Sequence, residues 1–334
     1  MKVAALGEFG LVERLGKLIE KYGVGSDARQ KLIIGIGDDT AAWQGDDSIQ
    51  LATVDALVEG VHFKPGMFGW EDLGWKALAI NLSDIAAMGG VPKYALVSLA
   101  IPPETEVDDV LALYRGALKL AQQFGVAVIG GDTDSTPRIS VTVTVLGSMG
   151  KSKNLLTRST ARPGDLVAVT GYLGSAATGY EIIRRKTKTG KNATAVKKAF
   201  LRPEPRIPEG QLLLKSGIKT AIDISDGLIS DLTHICKASR VGAVINADRL
   251  PITPEVSAAF GKKALATALS GGEDYELLFT GLPEAIKNVM KKAACPVTII
   301  GEITSGRDGK IKVVDEAGKP LKLSEKGWEH FVSK

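Results

Sequence analysis

PETEVDDVLALYRGALKLAQQFGVAVIGGD, residues 103–132, decides the fold class. Its first part starts with proline in the opening turn, where the missing N–H costs nothing. Val107, Val110, Leu111, Tyr114, Ala117, Leu118, Ala121 and Phe124 then recur at helical spacing, and Gly125 closes the helix. Directly after it the period changes. Ala127–Ile129 reads as a strand, within the apolar run Val126-Ala-Val-Ile-Gly-Gly that leads to Asp132. Apolar runs flank this pair on both sides, Tyr94–Ile101 before and Ile139–Leu146 after.

The same alternation extends outward. Glu8–Tyr22 reads as an amphipathic helix carrying Leu11, Leu15, Leu18 and Ile19, and Leu32–Ile36 and Ile49–Val54 read as strands. Glu71–Met88 reads as a helix that stops at Gly89-Gly90, with Pro92 just beyond. Around Gly147–Asn154 the texture turns polar (GSMGKSKN), which places a boundary between domains 1–148 and 149–334. Beyond it the expected strands are Leu166–Thr170, Thr220–Ile224, Glu273–Thr280, Val297–Ile300 and Ile311–Val314. The expected helices are Ser175–Arg185, Ala193–Leu201 and Gly227–Ser239. Hairpin-like stretches among them favour α/β with α+β-like mixed sheets over a doubly wound fold.

Composition removes several function classes. The 334 residues hold 42 Lys+Arg against 38 Asp+Glu, a net charge of +4, and no arginine-rich run or aromatic cluster suits nucleic acid. Lysine pairs such as Lys197-Lys198, Lys262-Lys263 and Lys291-Lys292 read as solvated helix faces. The apolar run Ala95–Ile101 is far too short to span a bilayer, so no membrane partner is expected. Two cysteines, Cys236 and Cys295, supply neither a zinc tetrad nor a disulfide framework, and both read as structural. The opening MKVAALGEFG lacks a signal peptide's apolar core, so a cytoplasmic chain is expected.

Two phosphate-loop signals fail on spacing and charge. Gly147-Ser-Met-Gly-Lys-Ser152 ends like a Walker loop, but its first glycine is too close to wrap phosphates. Gly35-Ile-Gly37 begins like a dinucleotide fingerprint, then places Asp38, Asp39 and Thr40 where donors and a third glycine belong. What recurs instead is an apolar run ending in aspartate. Such runs lead to Asp38-Asp39, to Asp55, to Asp132 with Asp134, and to Asp223 with Asp226. Asp84 joins them from an apolar helix, one turn after Asn81, where an unpaired carboxylate is costly. Any one of these suits a turn or a cap, as Ser225-Asp226 before a helix does. Together they point to crowded carboxylates. An oxygen-rich, histidine-poor set suits hard cations, magnesium above all where phosphates complete its coordination. Gly35, Gly37, Gly130 and Gly131 beside them permit close approach of polyphosphate to the backbone. The residues therefore predict a multi-magnesium nucleoside-triphosphate site without a Walker loop.

Long ordered motifs then carry a resemblance. They are Gly7-Glu-Phe-Gly10, Ile36-Gly-Asp-Asp39, Asp55-Ala-Leu-Val-Glu-Gly-Val-His-Phe63, the run Lys76–Gly89 and Ile129-Gly-Gly-Asp-Thr133. In the second half Thr157-Arg-Ser, Ala161-Arg-Pro-Gly-Asp165, Ile222-Asp-Ile-Ser-Asp-Gly-Leu228 and Ser270-Gly-Gly-Glu-Asp-Tyr-Glu-Leu277 continue it. With these the chain resembles the thiamine-monophosphate kinases nearly end to end. Their superfamily includes aminoimidazole ribonucleotide synthetase, selenophosphate synthetase and a hydrogenase maturation factor. The resemblance implies the two-domain architecture of aminoimidazole ribonucleotide synthetase, with 1–148 binding ATP and magnesium and forming a homodimer. Residues 149–334 would complete the ATP and substrate sites. It also implies ATP-dependent phosphorylation of thiamine monophosphate to thiamine diphosphate, the last step in making that cofactor.

Residue roles follow from the resemblance. Asp39, Asp55, Asp84, Asp132, Asp223 and Asp226 would hold several magnesium ions, with Thr53 assisting, and Asp55, Asp84 and Asp132 would be catalytic through the metal. Val54 stands where relatives often carry a threonine, so only its backbone carbonyl could serve as a ligand. Tyr114, Gly131, Arg158 and Ser225 would contact ATP, and His62, Glu273 and Trp328 would shape the substrate pocket. Tyr114 also suits a core position on its helix, His62 an ordinary half-buried histidine, and Trp328 a residue packing the tail.

The acceptor needs no general base, since a phosphomonoester is largely ionised near neutral pH with a second pKa of about 6. Direct in-line transfer without a phosphoenzyme is the expected route. Two rivals remain. One is another ATP-dependent synthetase of the superfamily, against which stands the absence of any cysteine before Cys236 in the manner of selenophosphate synthetases. The other is a non-catalytic nucleotide-binding regulator, which would have lost the metal carboxylates.

Overall fold

A computed structural model describes residues 1–2, 8–22, 32–34, 42–43, 45, 47–150, 154–186, 193–306 and 309–321. The chain divides into two compact units, Met1–Ile85 with Val91–Lys153, and Ala86–Gly90 with Asn154–Lys334.

The first unit is built on a four-stranded mixed sheet. Helix α1 (Glu8–Tyr22) buries Leu11, Leu15 and Ile19. The short strands β1 (Leu32–Ile34) and β2 (Ala42–Trp43) pair with each other. Then come β3 (Gln50–Val58), α2 (Trp70–Ala87), β4 (Val91–Ile101), α3 (Val107–Phe124), β5 (Ala127–Ser135) and β6 (Ser140–Ser148). The strand order is β3-β6-β4-β5. Only β4 and β5 run parallel, because α3 forms the crossover between them. The α3 face read from the sequence is the buried one, with Val110, Tyr114, Ala117, Leu118 and Ala121 in the core. Helix α2 is buried almost all round, including Leu78, Ala79, Leu82 and Ile85. A carboxylate on such a helix needs a partner.

The second unit carries a six-stranded sheet. Its strands are β7 (Leu166–Thr170), β8 (Thr220–Asp223), β9 (Gly242–Asn246), β10 (Leu277–Gly281), β11 (Val297–Thr304) and β12 (Ile311–Val314), in the order β12-β9-β11-β7-β10-β8. All neighbours are antiparallel except β12 with β9. The helices are α4 (Ser175–Arg184), α5 (Ala193–Leu201), α6 (Ile207–Lys215), α7 (Leu228–Ser239), α8 (Pro254–Phe260), α9 (Ala264–Ser270) and α10 (Pro283–Lys292). Leu228, Leu232, Ile235 and Cys236 of α7 pack with Val167, Val169, Ala243, Ile245, Leu278 and Ile300 of the sheet. Both units are thus mixed sheets with helices. Among the described residues no helix is long and apolar enough to cross a membrane.

Four expectations are corrected. Helix α3 begins at Val107 after its N-cap Glu106, so Pro103 lies in the turn before the helix and not in its first turn. Asp55 lies inside β3, not at its end, because pairing with β6 continues to Val58 opposite Ser140. Asp132 likewise lies inside β5, opposite Ser98, and the strand runs on to Ser135. Residues Glu273–Glu276 are not strand. Glu273 (φ 70°) and Tyr275 (φ 50°) sit in the left-handed region, which no strand tolerates, so β10 begins only at Leu277. Strands β2 and β9 and helices α6, α8, α9 and α10 were not anticipated.

Candidate active site

In the first unit, β3 and α2 bring two of the expected ligands into contact. The Thr53 hydroxyl donates to Asp84 Oδ2 at 2.5 Å. This supplies the partner that Asp84 needs on its buried helix. Strand alternation puts Asp55 on the same side of β3 as Thr53 and Val54 on the other, where Val54 is 59% exposed. Any ligand from Val54 is therefore a main-chain carbonyl. Just after β3, the Val58 N–H donates to His62 Nδ1 at 3.0 Å. With Nδ1 as acceptor, the proton of the neutral ring sits on Nε2.

Asp132 stands apart from this group. It is exposed on β5, its Oδ1 accepting the Thr133 N–H at 3.0 Å. The register runs Asp55, Val143, Val97, Gly131 across the sheet, so Asp55 and Gly131 sit on opposite outer strands. At about 4.8 Å per strand that row is roughly 14 Å wide. Gly131 is fixed by close approach, since a Cβ there would lie 1.9 Å from the Val97 carbonyl oxygen. Tyr114 is 5% exposed, and burial pushes its hydroxyl well above the ordinary tyrosine range. It belongs chiefly to the core. Asp39 lies outside the described residues, as does Trp328.

In the second unit, Asp223 ends β8 and is buried, while Asp226 lies in the turn before α7. Asp231, in the first turn of α7, is 2% exposed. Its Oδ2 accepts the N–H groups of Ser225, Asp226 and Gly227 at 3.1, 3.2 and 3.1 Å. Burial, and then the Asp223 and Asp226 charges, push its carboxyl up to about 8. Among the described residues, Asp226, Asp231 and His234 offer ligand atoms all within 4.8 Å of one another. The oxygen donors of Asp223 and Asp226, and of Thr53, Asp55 and Asp84 in the first unit, are those a hard cation takes. A carboxyl held so high beside two more is relieved by an added positive charge. The residues fit magnesium.

The turn at Asp226 is joined to the loop that carries Glu273. The Glu273 N–H donates to the Ser225 carbonyl at 2.8 Å and the Tyr275 N–H to the Ile224 carbonyl at 2.9 Å. These bonds hold Glu273 in its left-handed conformation, a strain that marks functional segments. Asp274 anchors the loop from the other side, accepting the N–H groups of Gly174 at 2.7 Å and Ala176 at 2.9 Å at the start of α4. Burial pushes its carboxyl up to about 7, against those same bonds. Arg158 is exposed, and the Ser239 hydroxyl donates to its carbonyl at 2.9 Å. Cys236 and Cys295 are free thiols pushed up to about 11 by burial, which makes them inert.

Asp231 and Asp274 were missed from the sequence. The only signals were a carboxylate in the first turn after Asp-Gly and a second acid next to Glu273.

Residues 37–149 match the family of AIR synthase related protein, N-terminal domain, and residues 162–314 match its C-terminal domain. The thiamine-monophosphate kinase of Escherichia coli O157:H7 is 40% identical, over 98% of this chain and 99% of that protein. The crystal structure of thiamine-monophosphate kinase from Stenotrophomonas maltophilia K279a superimposes with a TM-score of 0.81 at 35% identity, covering 91% of this chain and 96% of that one. The structure of AaThiL complexed with AMPPCP and TMP does so with a TM-score of 0.77 at 34% identity, covering 99% of each.

Proposed function

The chain belongs to the AIR synthase related proteins and, within them, to the thiamine-monophosphate kinases, and on that premise we infer that it converts ATP and thiamine monophosphate to ADP and thiamine diphosphate. The observation that carries the reading is full-length similarity to a kinase whose structure holds AMPPCP and TMP, a nucleotide and an acceptor in one protein.

In the reaction a phosphate oxygen of thiamine monophosphate attacks the γ-phosphorus of ATP. The bond from that phosphorus to the β,γ-bridging oxygen breaks, and its electron pair leaves with ADP. Asp55 and Asp84 with Thr53, Asp132, and Asp223 and Asp226 would hold magnesium, which would supply charge neutralisation on the phosphates. The protein's part is positioning and electrostatics, which is what phosphoryl transfer asks of it. Thr53 fixes the rotamer of Asp84 through their hydrogen bond. His62 presents an Nε2–H donor, suited to the acceptor's phosphate, because Val58 occupies Nδ1. Arg158 is exposed and suits a polyphosphate, as do the side-chain-free backbone at Gly131 and the Ser225 hydroxyl. Glu273, locked by its backbone, suits the cationic thiazolium of thiamine. Asp39 and Trp328 keep the metal and substrate roles implied by the resemblance, and Tyr114 that of a contact at the nucleoside end of ATP. No side chain is required to accept a proton, which fits a chain with three histidines.

A cytoplasmic homodimer, paired through the first unit, completes the reading. Supporting it, Val54 is a large apolar side chain 59% exposed on the outer strand of the sheet, in register with Thr144 and, beyond it, Leu96. ADP release in a coupled assay tests the function. Release should require thiamine monophosphate, and ADP formed at the same rate without any acceptor contradicts the kinase.

A further inference from the structure

We propose that Asp231 is a positioning residue that shapes the metal-holding turn Asp223–Gly227, a proposal that rests on the reading of Asp223 and Asp226 as magnesium ligands. A first-turn acid usually complements the helix dipole or reaches back to the single N–H of the N-cap residue. Asp231 reaches further. Its hydrogen bonds run backward, from one carboxylate oxygen to the N–H groups of three successive residues, Ser225, Asp226 and Gly227, that precede α7. Gly227, at the N-cap of α7, has no side chain of its own to cap the helix. Three converging N–H groups fix the peptide planes on both sides of Asp226, and with them the direction of its Cα–Cβ bond.

The opposite side of the turn is equally constrained. The Ser225 carbonyl accepts the Glu273 N–H, and Gly227 sits at φ 118° where a Cβ would come within 2.8 Å of the Ser270 carbonyl oxygen. The turn is wedged between the Asp231 carboxylate and the Glu273 loop. Removing the carboxylate leaves three N–H groups in a half-buried turn without their acceptor, so the turn must re-form around other partners. Groups that orient metal ligands are typically worth roughly 10–100-fold in metal affinity.

The test is Mn²⁺ binding to the full chain, followed by electron paramagnetic resonance, for wild type, Asp226→Asn, Asp231→Asn and Asp231→Ala. Thermal unfolding and steady-state kinetics are measured alongside. Asp226→Asn should remove one class of Mn²⁺ sites. Asp231→Ala should weaken that class at least roughly tenfold and raise the magnesium needed for half-maximal rate, leaving KM for thiamine monophosphate within about twofold. Asp231→Asn, which keeps one acceptor oxygen and the size, should lose less and tests the proposal even where the alanine variant does not fold. Loss of binding in Asp226→Asn with wild-type binding in a folded Asp231→Asn and Asp231→Ala overturns the positioning role alone. Wild-type binding in Asp226→Asn as well overturns it together with the metal reading.

Discussion

Replacing Asp132 with asparagine keeps the size of the side chain and an oxygen for the Thr133 N–H, and removes one negative charge. On the proposed reading of Asp132 as a magnesium ligand, that loss is not absorbed. Turnover should fall by roughly 10²-fold or more, as when a transition-state electrostatic contact is deleted. The side chain is exposed, so the unfolding temperature should hardly move. Retained activity removes Asp132 from the metal site. Thr53→Val is the subtler probe. It deletes the hydrogen bond to Asp84 without changing volume, leaving a half-buried carboxylate less well paired. The expected result is a higher magnesium requirement at unchanged KM for the phosphate acceptor; unchanged magnesium dependence refutes the pairing as a functional contact. These carboxylates were legible in the sequence because their residue type stands out from apolar surroundings. Asp231 was not, because its importance lies in bonds that chain folding brings together, five and six residues back across a turn.

Elements show a different limit. Strand β3 was read to stop at Val54 because a carboxylate follows, yet Ala56-Leu57-Val58 continues the ladder to Ser140. Pairing with β6 outweighs the cost of one exposed acid. The stretch Glu273–Glu276 failed in the opposite direction. Its composition suits a strand, but hydrogen bonds to Ser225 and Ile224 impose left-handed conformations at Glu273 and Tyr275. Asp274 holds that loop to α4. Asp274→Ala should destabilise the second unit by about 1–3 kcal/mol, the cost of leaving the Gly174 and Ala176 N–H groups unpaired. The same variant carries a pH signature. The folded-state carboxyl is pushed up to about 7 from 3.8, so it binds its proton more tightly folded than unfolded. Stability from that proton is complete below about pH 4 and is lost as pH rises towards 7. The wild-type unfolding temperature should therefore decline more steeply across this window than that of Asp274→Ala; parallel curves contradict the assignment. In β5, Gly131→Ala forces a Cβ against the Val97 carbonyl and should cost at least about 1–3 kcal/mol through displacement of β5 from β4.

For the whole molecule, the alternation of apolar runs with amphipathic segments was enough to predict two α/β units with mixed sheets. Sheet order was not readable, since parallel pairing of β4 with β5 and of β12 with β9 depends on crossovers, not on strand composition. The near-neutral net charge of +4 conceals carboxylates gathered around the Asp223–Asp226 turn, with Asp231 between helix and turn. Light scattering at micromolar concentration should give twice the mass of a 334-residue chain, and a monomer contradicts the dimer. The central claim is the reaction itself. Purified protein is incubated with ATP, magnesium and thiamine monophosphate, and the thiamine species are separated and quantified. Thiamine diphosphate should accumulate in step with ADP and disappear when magnesium is chelated; no thiamine diphosphate from folded protein across metal and salt conditions contradicts the account.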